Sequence, residues 1–511
     1  MDLFKILNLS LQSLVLITAL AAYFVKEARI RTIAWRCLLL ACTALVIVVM
    51  GHTALNEARQ DKAAANMDVG QVEFLMRLHN AFKSMSSIDL PIPAGSPLDS
   101  ESGKVLSSAR KSMAAAVEKE PQSFSIRMKE AILLGELNAP VKASLESLAK
   151  NKDPRAAQAI KVLEAFYVNK RLPKEELNAT LAFLDDAFPR GWFRDVSHIE
   201  ALKLAGNKKA ADEALVRYQD SSTQLVWRLL IIMVVAAFAA VTGVIVLLTQ
   251  LFLLPRSLSK DASHEEIKAP RDWGYDKVYG VFVGWLSLEC MISPLLVKVA
   301  QPLKALGLGP NNVAIITIVI YLLTNLPALL FAWFFVVRPS GENFFAATKV
   351  RLKTPRRGWF GLVMAGVLTW FASVPVVIVG SFLAKGIFNS QGSSNPILAV
   401  VMDAARNGDA LTVVLFVIAL GVLPGICEEL LFRGFLYTFL RRRMGALVSM
   451  VISATVFAGV HLDKGAFLQL FILGFAFAFV FERTRSLIPC MVAHCMWNSG
   501  TFFLINAIFG S

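Results

Sequence analysis

Apolar runs of about twenty residues recur along this chain, separated by short stretches dense in Lys and Arg. A helix rising 1.5 Å per residue needs about twenty such residues to cross a hydrocarbon core of roughly 30 Å. Runs of that kind fall at residues 8–24, 37–55, 229–254, 278–301, 313–337, 358–384, 411–440, 445–461, 466–482 and 487–509. The pattern predicts an all-α fold, a polytopic membrane bundle of about ten spans. Basic clusters lie at 26–36, 256–277, 338–357, 441–443 and 483–485, with Lys260, Lys268, Arg271 and Arg356 among them. All of them fall on one side if ten spans are counted with both termini outside, and the positive-inside rule makes that side the cytoplasm. In the first hairpin, residues 1–55, the charges follow the apolar run, the reverse of a cleavable signal peptide.

One long stretch breaks the apolar pattern. Residues 56–223 are rich in Ala, Leu, Lys and Glu, and segments 107–119, 155–167, 174–187 and 207–218 repeat apolar residues at i, i+3 and i+4. Turns at 151–154 and 206–208 divide them. The expectation is an extracytoplasmic α-helical domain, repeat-like but without a clean 34-residue period. Docking of a partner or substrate is a role open to it. A membrane helix with a basic linker is expected over 224–277 and a membrane core over 278–511, where 392–396 reads as an outer turn. The expected home is a bacterial inner membrane.

Composition adds little to this picture. The 511 residues are 56% hydrophobic with a net charge of +14. The basic residues sit between spans without aromatic interleaving, so the charge belongs to loops and not to a nucleic-acid surface. The six cysteines all lie in apolar segments and form no CxxC pair, which argues against a disulfide framework or a thiolate metal site.

The chemistry concentrates between Gly425 and Asn498. Glu428-Glu429 and Arg433, then Phe457 and His461, then His494 and Asn498 all fall in apolar sequence. A charge at membrane depth costs about 2.5–3.5 kcal/mol even on the mildest insertion scale, so partners are expected for each. Glu429 and Arg433 are i,i+4 neighbours on one helix face and can pair, while Glu428 is turned about 100° away. His461 follows Phe457 by four residues and Asn498 follows His494 by four. Depths counted from the inner helix ends are roughly 20 Å for Glu428, 25 Å for His461 and 12 Å for His494, close enough to converge. Two chemistries suit such a set. Glu428, His461 and His494 are ligand types for Zn²⁺, which would activate water. Alternatively, Glu428 and His461 activate water directly, while His494 and Asn498 stabilise an oxyanion. A third reading is polar residues gluing helices together, as in a scaffold, an immunity protein or a transporter.

These residues also carry a resemblance. Glu428-Glu429-x-x-x-Arg433, Phe457-x-x-x-His461 and His494-x-x-x-Asn498 resemble, in order, the three motifs of the CPBP family of intramembrane endopeptidases (CAAX protease and bacteriocin-processing, or Abi). The Ras-converting CAAX endopeptidase belongs to that group. The resemblance covers about residues 275–511 and implies a helical membrane core that cleaves a membrane-associated protein or peptide. It implies that Glu428 is the catalytic carboxylate and that His461, His494 and Asn498 complete the site, with Glu429 and Arg433 in support. The family has been described both as metalloproteases and as glutamate-dependent proteases, so Zn²⁺ stays an open expectation. Neither a prenylated substrate nor any role for the first 223 residues follows from it.

Overall fold

The computed structural model describes residues 3–55, 57–86, 97–259, 273–305, 309–354, 357–388 and 397–510. The basic residues Lys260, Lys268, Arg271 and Arg356 and the turn at 392–396 lie outside the described residues. Among those described, every extended element is a helix, and the sole β-bridge joins Thr354 to Arg357. Nine of the described helices are long and apolar enough to cross a membrane. A further apolar helix, Ala446–Val460, has 15 residues and reaches only about 22 Å. It ends there because His461 caps it and Leu462 turns into the left-handed region at φ 51°.

The chain divides into two compact units. One holds residues 57–235 together with 394–409 and 503–511. Its helices Phe124–Glu136, Ala156–Tyr167 and Trp192–Leu204 bury Met128, Leu163, Phe166 and Trp192 in a shared apolar core. Glu73 is buried there, where it accepts the Trp192 backbone N–H at 3.0 Å and pairs with Arg406 of the helix Ile397–Asn407. Arg228 donates to the Gly510 carbonyl at 2.7 Å. The polar segment expected at 207–218 and the apolar run expected at 229–254 are one continuous helix, Lys208–Ser259.

The other unit holds residues 1–56, 236–393 and 410–502. Its outward-facing residues are apolar, as lipid contact requires; Phe238, Leu248, Val379 and Phe382 are all exposed. Its core is aromatic: Phe432, Phe435, Phe457, Phe477 and Phe481 are fully buried together. Apolar lipid gives helices no reason to associate, so close approach has to come from small residues and polar contacts. The helix ending at Glu429 meets the last helix through Gly421 and Gly425. A Cβ at Gly421 would lie 2.2 Å from Ser499 Oγ, and one at Gly425 would lie 2.4 Å from Cys495 Sγ. At the Arg441 end, Glu482 ties the same chain segment down by accepting from Tyr437 Oη at 2.7 Å and Arg441 Nε at 3.2 Å.

Candidate active site in the membrane core

The span Ala410–Arg441 is not a uniform α-helix. A π-helical stretch, Val417–Val422, precedes the α-helical turn Leu423–Glu429, and a second, Leu430–Tyr437, follows it. π-turns inside α-helices cluster at functional sites because they re-aim side chains that a regular helix would place elsewhere. Pro424 contributes to the first disturbance. It has no N–H, so the Leu420 carbonyl four residues earlier loses its helical partner. Asn498 supplies the replacement, with Nδ2 donating to Leu420 O at 3.0 Å.

Glu429 and Arg433 form the expected i,i+4 pair, Oε1 to Nη1 at 2.8 Å, both fully buried. Arg433 Nη2 also donates to the Gly474 carbonyl at 3.1 Å, and its guanidinium lies over the Phe457 ring at 4.5 Å. Desolvation of a cation is offset here by a carboxylate, a carbonyl and aromatic faces together. Glu429 has a second task that its spacing in the sequence does not reveal. Its Oε1 accepts from His494 Nδ1 at 2.7 Å. That bond puts the proton on Nδ1 and leaves the Nε2 lone pair free. The ring is held in place by stacking on Phe477, centroids 5.2 Å apart.

His461 is set the same way by a different partner. The last carbonyls of a helix have no intrahelical donor, and His461 Nδ1 donates to one of them, Phe457 O, at 2.7 Å. Its Nε2 is thereby also an acceptor, and the Phe457 ring packs edge-on against it at 4.9 Å.

Both free nitrogens face Glu428. Its Oε2 lies 3.8 Å from His494 Nε2 and 3.9 Å from His461 Nε2, and is itself buried without a hydrogen-bond partner. Oε1 is approached by Tyr321 Oη at 3.5 Å from the helix Pro310–Phe331. The structure therefore brings Glu428, His461 and His494 together, with Glu429 and Arg433 directly behind. Asn498 shares the last helix with His494, but among the described residues it makes no hydrogen bond to Glu428 or to either imidazole. Tyr321 was missed in the sequence. Its only signal is a phenol within an apolar span, one turn before Thr324 and Asn325.

In donor type, a carboxylate oxygen and two imidazole Nε2 atoms with fixed tautomers suit a zinc ion, and each Nδ1 is hydrogen-bonded as second-shell partners require. The separations are wider than the roughly 3.4 Å between neighbouring ligands of a tetrahedral ion. In keeping with that, no group of three or more His, Cys, Asp or Glu among the described residues is close enough to hold a metal. The set fits a metal in chemistry and would have to contract to close on one.

A family comparison falls on this same part of the chain. Residues 410–500 match the family model described as type II CAAX prenyl endopeptidase Rce1-like. The putative membrane peptidase YdiL of Bacillus subtilis (strain 168) is 29% identical over 141 residues, which cover 26% of this chain and 56% of that relative. The match thus spans little more than half of the relative's length. No solved structure matches. The three paired motifs all fall within the matched residues 410–500, and it is in this membrane core that the chain is similar to CAAX-protease-like membrane peptidases.

Proposed function

We propose that the membrane core is an endopeptidase that hydrolyses a peptide bond of a membrane-associated protein or peptide. The observation that carries this reading is the orphaned Oε2 of Glu428, buried and facing two imidazole lone pairs. Three acceptors turned toward one point leave room for a species that brings protons or positive charge, and water is such a species. Glu428 Oε2 takes a proton from that water as its oxygen bonds to the scissile carbonyl carbon. The carbonyl π pair moves onto oxygen. When the tetrahedral adduct collapses, the C–N bond breaks and Glu428 returns the proton to the departing amine. His461 and His494 orient the water through their Nε2 atoms. Asn498 holds the bent helix in place at Leu420, which keeps Glu428 aimed.

Should Zn²⁺ be held, Glu428, His461 and His494 would hold it, and it would supply Lewis acidity and a more acidic bound water. Residues 56–223 we place outside the cytoplasm, in a bacterial inner membrane protein with ten spans, where they are suited to dock the substrate. The bilayer is the remaining partner.

The test compares newly formed N-termini of membrane proteins in cells making the wild type and cells making Glu428→Gln. Termini that appear with the wild type and vanish with the variant support the proposal. Identical sets in both would leave a non-enzymatic scaffold as the better reading.

A further inference from the structure

A peptidase of the kind proposed above needs hydrogen-bond donors where negative charge develops on the carbonyl oxygen, and apart from one N–H of Asn498 the motif side chains around Glu428 provide none. With both Nδ1 atoms engaged as donors, the neutral rings present His461 Nε2 and His494 Nε2 as acceptors, and Glu428 Oε2 is an acceptor too. The Asn498 amide nitrogen spends one of its two N–H groups on the Leu420 carbonyl. Arg433 is fully buried behind Glu429 and points its Nη2 at Gly474. The donor that contacts the reacting carboxylate itself comes from outside the motifs: the Tyr321 hydroxyl.

On that peptidase reading, we infer that Tyr321 is a further catalytic residue, the donor that stabilises the tetrahedral oxyanion. Its contact to Glu428 Oε1 is 3.5 Å, long for a hydroxyl on a carboxylate, for which about 2.5–2.7 Å is usual. The hydroxyl is therefore near the reacting group without being spent on it, and turning to a better acceptor sacrifices little. Its backbone, by contrast, is held firmly. The Tyr321 carbonyl accepts from Asn325 Nδ2 at 3.1 Å and Thr324 Oγ1 at 3.2 Å. Trp285 Nε1 in turn donates to the Thr324 carbonyl at 2.7 Å. A donor fixed before the reaction begins needs little reorganisation when charge appears, which is what makes such donors effective. No proton is transferred from Tyr321 in this step. The phenol donates a hydrogen bond while the oxyanion forms and releases it when the carbonyl re-forms. Tyr321→Phe keeps the ring and its packing and gives up only the long contact to Glu428 Oε1, so the fold is expected to hold.

The experiment uses the full chain reconstituted in phosphatidylethanolamine/phosphatidylglycerol vesicles with a quenched-fluorescent library of membrane-inserted peptides. The wild type, Glu428→Gln and Tyr321→Phe are compared on the cleaved sequence, together with a phosphinate analogue of it that mimics the tetrahedral adduct. Tyr321→Phe should lower kcat by roughly 10²–10³-fold with KM within about threefold, and weaken the phosphinate by a similar factor. Its melting temperature should stay at the wild-type value. A kcat within a few-fold of wild type overturns the inference, and so does a loss expressed in KM alone or accompanied by a lower melting temperature. Cleavage that survives Glu428→Gln removes the peptidase reading itself. An inactive Glu428→Gln beside a fully active Tyr321→Phe removes only the role of Tyr321.

Discussion

At the scale of single residues, the site divides its charges between two adjacent glutamates. Glu429 Oε1 is bonded twice, by Arg433 and by His494, whereas Glu428 has only the long Tyr321 contact on Oε1; Oε2 of each glutamate has no hydrogen-bond partner. Breaking a buried pair from one side strands the other charge, at a typical cost of about 3–5 kcal/mol. Arg433→Ala is therefore expected to lower both the folded yield in detergent and the melting temperature. Glu428→Gln, which removes no bonded partner, should melt at or above the wild-type temperature; thermal unfolding of the two variants side by side checks this. Equal melting of both would mean that Arg433 is not the structural counter-ion.

At the scale of elements, the three i,i+4 pairs were readable because spacing on a helix is a local property. That Glu429 pairs with Arg433 while Glu428 turns away follows from the same helical geometry. What could not be read is what one helix does to another. Glu429 meeting His494, Tyr321 meeting Glu428 and Asn498 meeting Leu420 all depend on π-turns and on approach through Gly421 and Gly425. None of these leaves a period in the sequence. Pro424 was the one visible hint, and its consequence can be tested as a cycle. Asn498→Ala leaves the Leu420 carbonyl without a donor, which should cost about 1–3 kcal/mol. Pro424→Ala restores a backbone N–H to the same carbonyl, so the double variant should regain part of that stability in chemical denaturation. Strict additivity of the two changes would show that they do not share the carbonyl.

At the scale of the whole molecule, the spans were legible because crossing a bilayer fixes a length. The continuity of Lys208–Ser259 was not, because a change from polar to apolar composition looks like a boundary even when the backbone hydrogen bonding runs straight through. The helical unit carries its own prediction. Burial pushes the Asp195 carboxyl up to about 6, against the opposing pull of the Arg77 guanidinium and with Glu73, Arg194 and Arg190 also facing it. The folded state then holds a proton that the unfolded state releases near the usual carboxylate range. The stability from this group is complete below about pH 4 and is lost as the pH rises toward 6. Melting of the full chain should accordingly show less decline over that window in Asp195→Asn than in the wild type; identical profiles would contradict it. Topology is checked by an impermeant maleimide on Lys152→Cys or Lys208→Cys in a background lacking the native cysteines. Labelling is expected in intact spheroplasts, and labelling only after lysis would invert the ten-span arrangement.

The claim that joins these scales is that Glu428 is the base for a hydrolytic water. The most direct measurement of it is the single-turnover cleavage rate of Glu428→Gln relative to wild type on the same membrane peptide, with folding verified by melting. A glutamine keeps the shape and cannot accept the proton, so the rate should fall by at least roughly 10²–10⁴-fold while the melting temperature holds. A folded Glu428→Gln protein that cleaves at the wild-type rate would contradict the account.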